Sequence, residues 1–327
     1  MSRDRPAEML NRLLGRIPLG YLLRRLIIAV PTLLAIITVA FFMMRAAPGG
    51  PFSADRLLPV ETERAIAAKY GLDDPVHVQY FKYLGDVVQG DFGPSFKIKD
   101  KDVSELIADG LPISLTIGGL SMLLAIIIGG GLGILAGLKQ NTPADYGVMG
   151  VAMVGISVPT FVSGPLLILG LALGAGVFSA GGLGFPPGLG FDNLTLPVIT
   201  LALPQIAIIS RLMRASMIET MRMPHIRTAR SKGLSERQVI TGHALPSALL
   251  PLISYVGPAT AGVMTGSVVV ERVFSLPGMG SYFVDGAINR DYTLVMGAII
   301  IYAGLIIALN LIADILYAVL DPKVSYD

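Results

Sequence analysis

The chain contains no cysteine, which excludes disulfides, thiolate nucleophiles and cysteine-bound metals. Histidine is nearly absent as well. His77, His225 and His243 are too few and too scattered to form a metal cluster, so no metal and no cofactor of its own is expected. Charge is scarce: only 15% of the 327 residues are Asp, Glu, Lys or Arg, against roughly 25% in soluble domains. A net charge of +2 offers no field for nucleic acid, and no such partner is expected. The signatures Gly-x-Ser-x-Gly, His-Glu-x-x-His and Gly-x-x-x-x-Gly-Lys-[Ser/Thr] do not occur. A membrane hydrolase and an ATPase are therefore both disfavoured, and no catalytic residue is expected.

What the chain does have is apolar length. A bilayer span needs ~20 apolar residues at ~1.5 Å rise each. A basic segment, 1–25, with Arg3, Arg5, Arg12, Arg16, Arg24 and Arg25, precedes an uncharged run, Leu26–Met44. That run is too long for a cleaved signal peptide and carries Pro31, so it reads as a first span, 26–45. Later apolar blocks predict spans at 111–138, 146–178, 194–217, 244–270 and 292–320, six in all, with Arg211 and Arg214 at the far end of the fourth and Asp314 near the end of the sixth. Backbone groups in lipid must be satisfied internally, so each block is expected to be helical. The fold class is an all-α integral membrane bundle.

Between the first two spans, 46–110 carries charges of both signs and reads as a small subdomain outside the bilayer. Pro59 to Tyr70, closed by Gly71, predicts one short helix there. Asp74 as N-cap with Pro75 at the first turn predicts a second, ending near Gly90 and presenting Tyr80, Phe81, Leu84, Val87 and Val88 at helical spacing. Gly181 to Gly188 reads as an outer loop. Basic residues concentrate in 1–25, at Lys139 and between Arg211 and Arg237, which places both termini in the cytoplasm and 46–110 outside.

Prolines interrupt the spans at Pro31, Pro159, Pro165, Pro197, Pro204, Pro251 and Pro258, so a kinked bundle around a pathway is expected. Gly129, Gly133 and Gly137 share one helix face and predict close packing within the subunit. No uncharged span holds a central Asp, Glu, His or Lys. An ion-coupled secondary transporter would need one, because the cost of about 2.5–3.5 kcal/mol has to be offset by a function. That transporter class remains the rival reading. Asp314 lies at an inner end, and Glu271 with Arg272 at an outer end, where local pairing is expected.

The longest inner loop, 218–243, is the informative stretch. Pro224 starts a helix, Gly233 stops it in a left-handed conformation, and Ser235 caps the next one. The residues alone leave two readings open, a basic connector that lies on the membrane or a docking surface.

At this loop the chain resembles the importer permeases of the ATP-binding-cassette class. Their signature is Glu-Ala-Ala, three residues, Gly, nine residues, then Ile-x-Leu-Pro. Here Ala229, Gly233 and Leu245-Pro246 match, while Arg227-Thr228 and His243 depart from it. Arg227-Thr-Ala-Arg-Ser-Lys-Gly-Leu234 is similar to the peptide and nickel branch. So are Phe41-Phe-Met-Met-Arg-Ala-Ala-Pro-Gly49, Gly266 to Gly280, Asn289-Arg-Asp-Tyr292 and Asp321-Pro-Lys323. The external segment with Gly90-Asp-Phe-Gly-Pro-Ser-Phe96 most resembles the B-type permeases of oligopeptide importers.

The resemblance implies a type I importer bundle in a bacterial cytoplasmic membrane. The implied partners are a C-type permease, two ATP-binding subunits that hold ATP and magnesium, and an extracytoplasmic peptide-binding protein. It makes 224–234 the coupling element to an ATPase subunit, through Pro224, Ile226, Arg227, Thr228, Ala229, Arg230, Lys232, Gly233 and Leu234. Oligopeptides are the implied cargo, with dipeptides, a nickel chelate or another small solute as alternatives. It names no substrate-binding residue.

Overall fold

The computed structural model describes residues 19–46, 74–182 and 190–320. The helix expected over Pro59–Tyr70 and most of the Gly181–Gly188 loop lie outside the described residues. In chain order the helices are α1 Leu19–Ala46, α2 Val76–Val88, α3 Val103–Leu138, α4 Pro143–Ser157 and α5 Thr160–Leu167, the last continued by a wide π turn to Gly174. Next come α6 Phe191–Met221, α7 Pro224–Ser231, α8 Glu236–Val239, a second π turn over Ile240–Ala244 and α9 Leu245–Ala248. The last three are α10 Leu250–Val273, α11 Met279–Asn289 and α12 Tyr292–Leu320.

Five of these, α1, α3, α6, α10 and α12, are long and apolar enough to cross a bilayer. They expose aliphatic side chains such as Ile27, Val30 and Ile127, as α4 and α5 expose Val151 and Leu166. On a water-soluble monomer so much exposed apolar surface would mark an interaction site; facing lipid it is ordinary.

The stretch expected to be one helix over 146–178 is two, because α4 and α5 meet at 103°. Val158 is extended, at φ −93° and ψ 112°, since it precedes Pro159. Pro159 itself has no N–H with which to continue the ladder. α3 starts at Val103, well before the uncharged block at Leu111, and passes through Pro112 without ending. Hydropathy marks where lipid begins; the helix begins earlier, where buried Val103, Leu106 and Ile107 find a core.

α2 starts one residue later than its proline suggested. Pro75 is the N-cap, with no side-chain cap bond, and its carbonyl accepts from Val78 and Gln79. Tyr80, Leu84 and Val87 pack with Ile37 and Phe41 of α1, whereas Phe81 and Val88 point away and are exposed.

The connectivity follows from three glycines. Gly129 lies against Ile206, Gly133 against Ser210 and Gly137 against Met217, the numbers rising together, so α3 and α6 run parallel. A Cβ at Gly133 would stand 2.5 Å from the Ser210 carbonyl oxygen, so only glycine allows this approach. Parallel neighbours require the intervening pair to carry the chain back along the bundle, and α4–α5 does so. Asp145 meets Arg214, Gly155 lies against Leu203 and Gly164 against Thr200.

α10 is antiparallel to α6, through Ser216 to the Ala248 carbonyl and Tyr255 to Gln205. α1 is antiparallel to α12: Arg25 pairs with Asp314 at 2.7 Å near one end, and Phe41 shares a cluster with Met296 and Ile300 near the other. The first and last described helices therefore have their outer chain ends at the same end of the bundle, the one that also carries the 222–249 loop. Segments 91–102 and 274–291 lie at the opposite end.

Glu271 and Arg272 do not pair with each other. Consecutive helical residues point in different directions; Arg272 reaches Asp285 of α11 at 2.8 Å, while Glu271 turns inward and is fully buried.

Candidate coupling surface

α7 is a two-turn helix lying between the ends of α6 and α10. Met223 is its N-cap and Pro224 occupies the first turn, where a missing N–H costs nothing. Ile226 and Ala229, three apart and so on one face, are 0% and 4% exposed. They join Met217 of α6 and Val239 and Ala244 of the following segment in one apolar cluster, with Leu234 packed against it. The helix is thereby fixed to the bundle rather than floating on it.

After Ser231 the chain reverses at Gly233, whose φ is +80° and whose N–H donates to the Arg230 carbonyl. This conformation costs side-chain-bearing residues free energy that glycine avoids. Ser235 then starts α8 with a reciprocal capping box to Gln238. Arg230 closes the corner with a two-pronged bond to Glu236, at 3.1 Å from Nε and 2.6 Å from Nη2. Two helix starts and one turn thus give a short rigid elbow.

The residues expected to couple divide between two faces. Ile226, Ala229 and Leu234 face the bundle, so direct contact with another subunit through Ala229 does not fit this geometry; they are the footing. Pro224, Arg227, Thr228, Lys232 and Gly233 are exposed, together with His225 and Ser231. Arg230 is exposed but partly neutralised by Glu236. The outward face is therefore small, polar and cationic at Arg227 and Lys232.

A second feature of this end was not legible in the sequence. Asp145, at the start of α4 and fully buried, accepts from Arg214 Nε at 2.5 Å, from Arg214 Nη2 at 2.7 Å and from the Asn141 N–H at 2.9 Å. This two-pronged pair ties the α3–α4 turn to α6 just before α7, and Arg222 adds a bond to Gln140. The elbow stands on a braced platform. The only signal was an acidic residue in the first turn of a span, and nothing in sequence pairs it with an arginine two helices later.

Residues 129–326 match the family model described as binding-protein-dependent transport system inner membrane component, and residues 18–118 match its N-terminal companion. The oligopeptide transport system permease protein OppB of Salmonella typhimurium is 49% identical over 94% of this chain and 100% of its own length. The dipeptide transport system permease protein DppB of Bacillus subtilis is 38% identical over 93% of this chain and 97% of its own. Among solved structures, an inward-facing form of the MetNI methionine ABC transporter superposes with a TM-score of 0.53. It shares 17% identity and covers 66% of this chain and 96% of that one, a likeness of fold alone.

Proposed function

The chain belongs to the inner membrane components of binding-protein-dependent transport systems, and from that membership we propose that it is the six-span permease half of an ATP-driven oligopeptide importer. The observation that carries the cargo assignment is the 49% identity to an oligopeptide permease along the relative's whole length. The identity to a dipeptide permease is lower, at 38%, which makes dipeptides the second reading.

A six-span topology with both termini cytoplasmic is supported by the parallel packing of α3 and α6, which makes α4–α5 one bent crossing. The Arg25–Asp314 pair gives further support, since it brings the two ends of the span series together. The excess of lysine and arginine in the 222–249 loop supports a cytoplasmic position for that end.

The partners in this reading are a C-type permease, two ATPase subunits and an extracytoplasmic peptide-binding protein. The outward face of α7, with Arg227, Thr228 and Lys232, seats in a groove of one ATPase subunit. Because Ile226 and Ala229 root the helix in the bundle, closure of the ATPases would drag α6 and α10 with it, a rigid-body transmission. ATP and magnesium act on the partner chains. Co-expression with those partners, reconstitution in liposomes and uptake of a labelled oligopeptide, a dipeptide and a nickel chelate tests the proposal. ATP-dependent uptake with oligopeptide preferred is expected. Uptake driven by a proton or sodium gradient without ATP would overturn it.

A further inference from the structure

Helix α6 is covered on three sides. Ile206, Ser210 and Met217 meet the glycine face of α3, and Leu203 and Arg214 meet α4. Gln205 accepts from the Tyr255 hydroxyl of α10, and Ser216 donates to the Ala248 carbonyl just before that helix. In the inner half this leaves Ile208, Arg211, Leu212 and Ala215, spaced three and four apart and so on one strip. Arg211 and Ala215 are exposed, and the other two are half-buried. With Met149 of α4 and Arg214, the strip lines a recess of about 510 Å³.

The wall of the recess is apolar except for two guanidinium groups. That of Arg214 is held by the buried carboxylate of Asp145. That of Arg211 makes no hydrogen bond or ion pair among the described residues. No acidic side chain lines the recess; Glu219, also exposed, lies eight residues on, roughly 12 Å along the helix axis. Arg214 stands level with the first turn of α4, so Arg211 lies one turn farther into the apolar block. Topology does not require a cation at that depth, because the loop that follows already carries Arg227, Lys232 and Arg237. An ionisable side chain inside a span is costly, and such residues face water-filled cavities and mark the routes of substrates.

We propose that the 208–215 strip of α6 is a wall of the peptide pathway, and that Arg211 binds the C-terminal carboxylate of the cargo there. The chemistry suits a carrier of varied peptides, whose side chains differ while the terminal carboxylate is common to all. A guanidinium takes a carboxylate with two parallel N–H···O bonds. Met149, Ile208 and Leu212 offer an apolar wall beside it, with the unbranched methionine adaptable to different side chains. A single solvated cation holds its ligand weakly enough to let it leave, as passage demands. The proposal rests on the transport role given above and assigns that role a cargo contact.

The test is Arg211→Gln and Arg211→Lys in the assembled importer, in vesicles of phosphatidylcholine with and without phosphatidylglycerol. The cargo is a labelled oligopeptide without acidic side chains, supplied as the free acid and as its C-terminal amide. Each variant is compared with the parent on the same peptide, so any preference of the binding protein cancels. Loss of one charge-assisted bond should lower uptake of the free acid by Arg211→Gln about tenfold. Uptake of the amide should stay near the parent's, and Arg211→Lys should keep most of the free-acid uptake. Tm and subunit co-purification should not change, because Arg211 has no partner within the chain. Should the parent refuse the amide, the Lys-to-Gln difference on the free acid, equal in both kinds of vesicle, decides the matter. Equal loss for both peptides would overturn the proposal, as would a loss confined to vesicles with phosphatidylglycerol, which would make Arg211 a lipid contact. A fall in Tm or assembly would overturn it too, as would parent-level uptake by Arg211→Gln. A parent complex that carries no peptide would instead overturn the transport role itself.

Discussion

Ser95 donates a hydrogen bond to the buried carboxylate of Asp291, joining two segments 196 positions apart in sequence. Asp291 also accepts from the N–H groups of Phe96 and Lys97, and from Leu294 in the first turn of α12. One side chain thus caps the last spanning helix and pins the 91–100 segment to it. Two of the motifs that carried the family resemblance, around Ser95 and around Asp291, prove to be halves of one contact.

Asp291→Ala should therefore cost about 1–3 kcal/mol, through the lost cap and the orphaned N–H groups. Thermal unfolding of the detergent-purified chain measures the first effect. Faster tryptic cleavage at Lys97 and Lys99 measures the release of the segment, and a cleavage pattern like the parent's would count against the anchoring role.

Gly133→Ala tests the close approach of α3 and α6. The added methyl would meet a backbone oxygen, which cannot rotate away, so the helices must separate, at a cost of about 1–3 kcal/mol. Gly131→Ala is the control, since a Cβ there has nothing within 4 Å and alanine is the better helix former. The expected order of Tm is Gly131→Ala at or above the parent, with Gly133→Ala below it.

The absence of cysteine makes the topology directly testable. Cysteine introduced at Lys99 or at Ser231, both exposed, should react with a membrane-impermeant maleimide from opposite faces of sealed vesicles. Labelling of both from one face would contradict the proposed crossing by α4–α5.

Much of this was readable in the chain because it is local. Pro224, Gly233 and Ser235 specify a start, a reversal and a restart from single-residue backbone preferences, and the structure shows all three. The spacing of Gly129, Gly133 and Gly137 likewise gives a face without any knowledge of the partner. What escaped was non-local or angular. The Asp145–Arg214 brace and the burial of Glu271 need helices brought together from distant parts of the chain. In the sequence Pro159 is one kink among several, because a proline's position is legible there and the angle its neighbours permit is not. The family resemblance implies Ala229 as a contact for another subunit, whereas the helix turns that face inward, onto Val239 and Ala244.

That orientation separates two variants of α7. Ala229→Asp would put a charge into the apolar footing and should destabilise the permease itself, seen as lower yield and lower Tm before any partner is added. Gly233→Ala has open space for its methyl group and should cost only about 1 kcal/mol, through the left-handed backbone. Its Tm should stay close to the parent's, while ATPase association weakens because the elbow is mis-set.

The most direct test of coupling through α7 is the amount of ATPase subunit that co-purifies with Thr228→Trp. Thr228 is exposed on the outward face, and the substitution leaves every charge of the loop in place. Docking of this face in an ATPase groove predicts at least a tenfold loss of co-purified ATPase, equivalent to about 1.4 kcal/mol of binding, from a permease that still inserts with the parent's yield and Tm. Parent-level co-purification with parent-level ATP-driven uptake would contradict it and leave the loop as a basic connector.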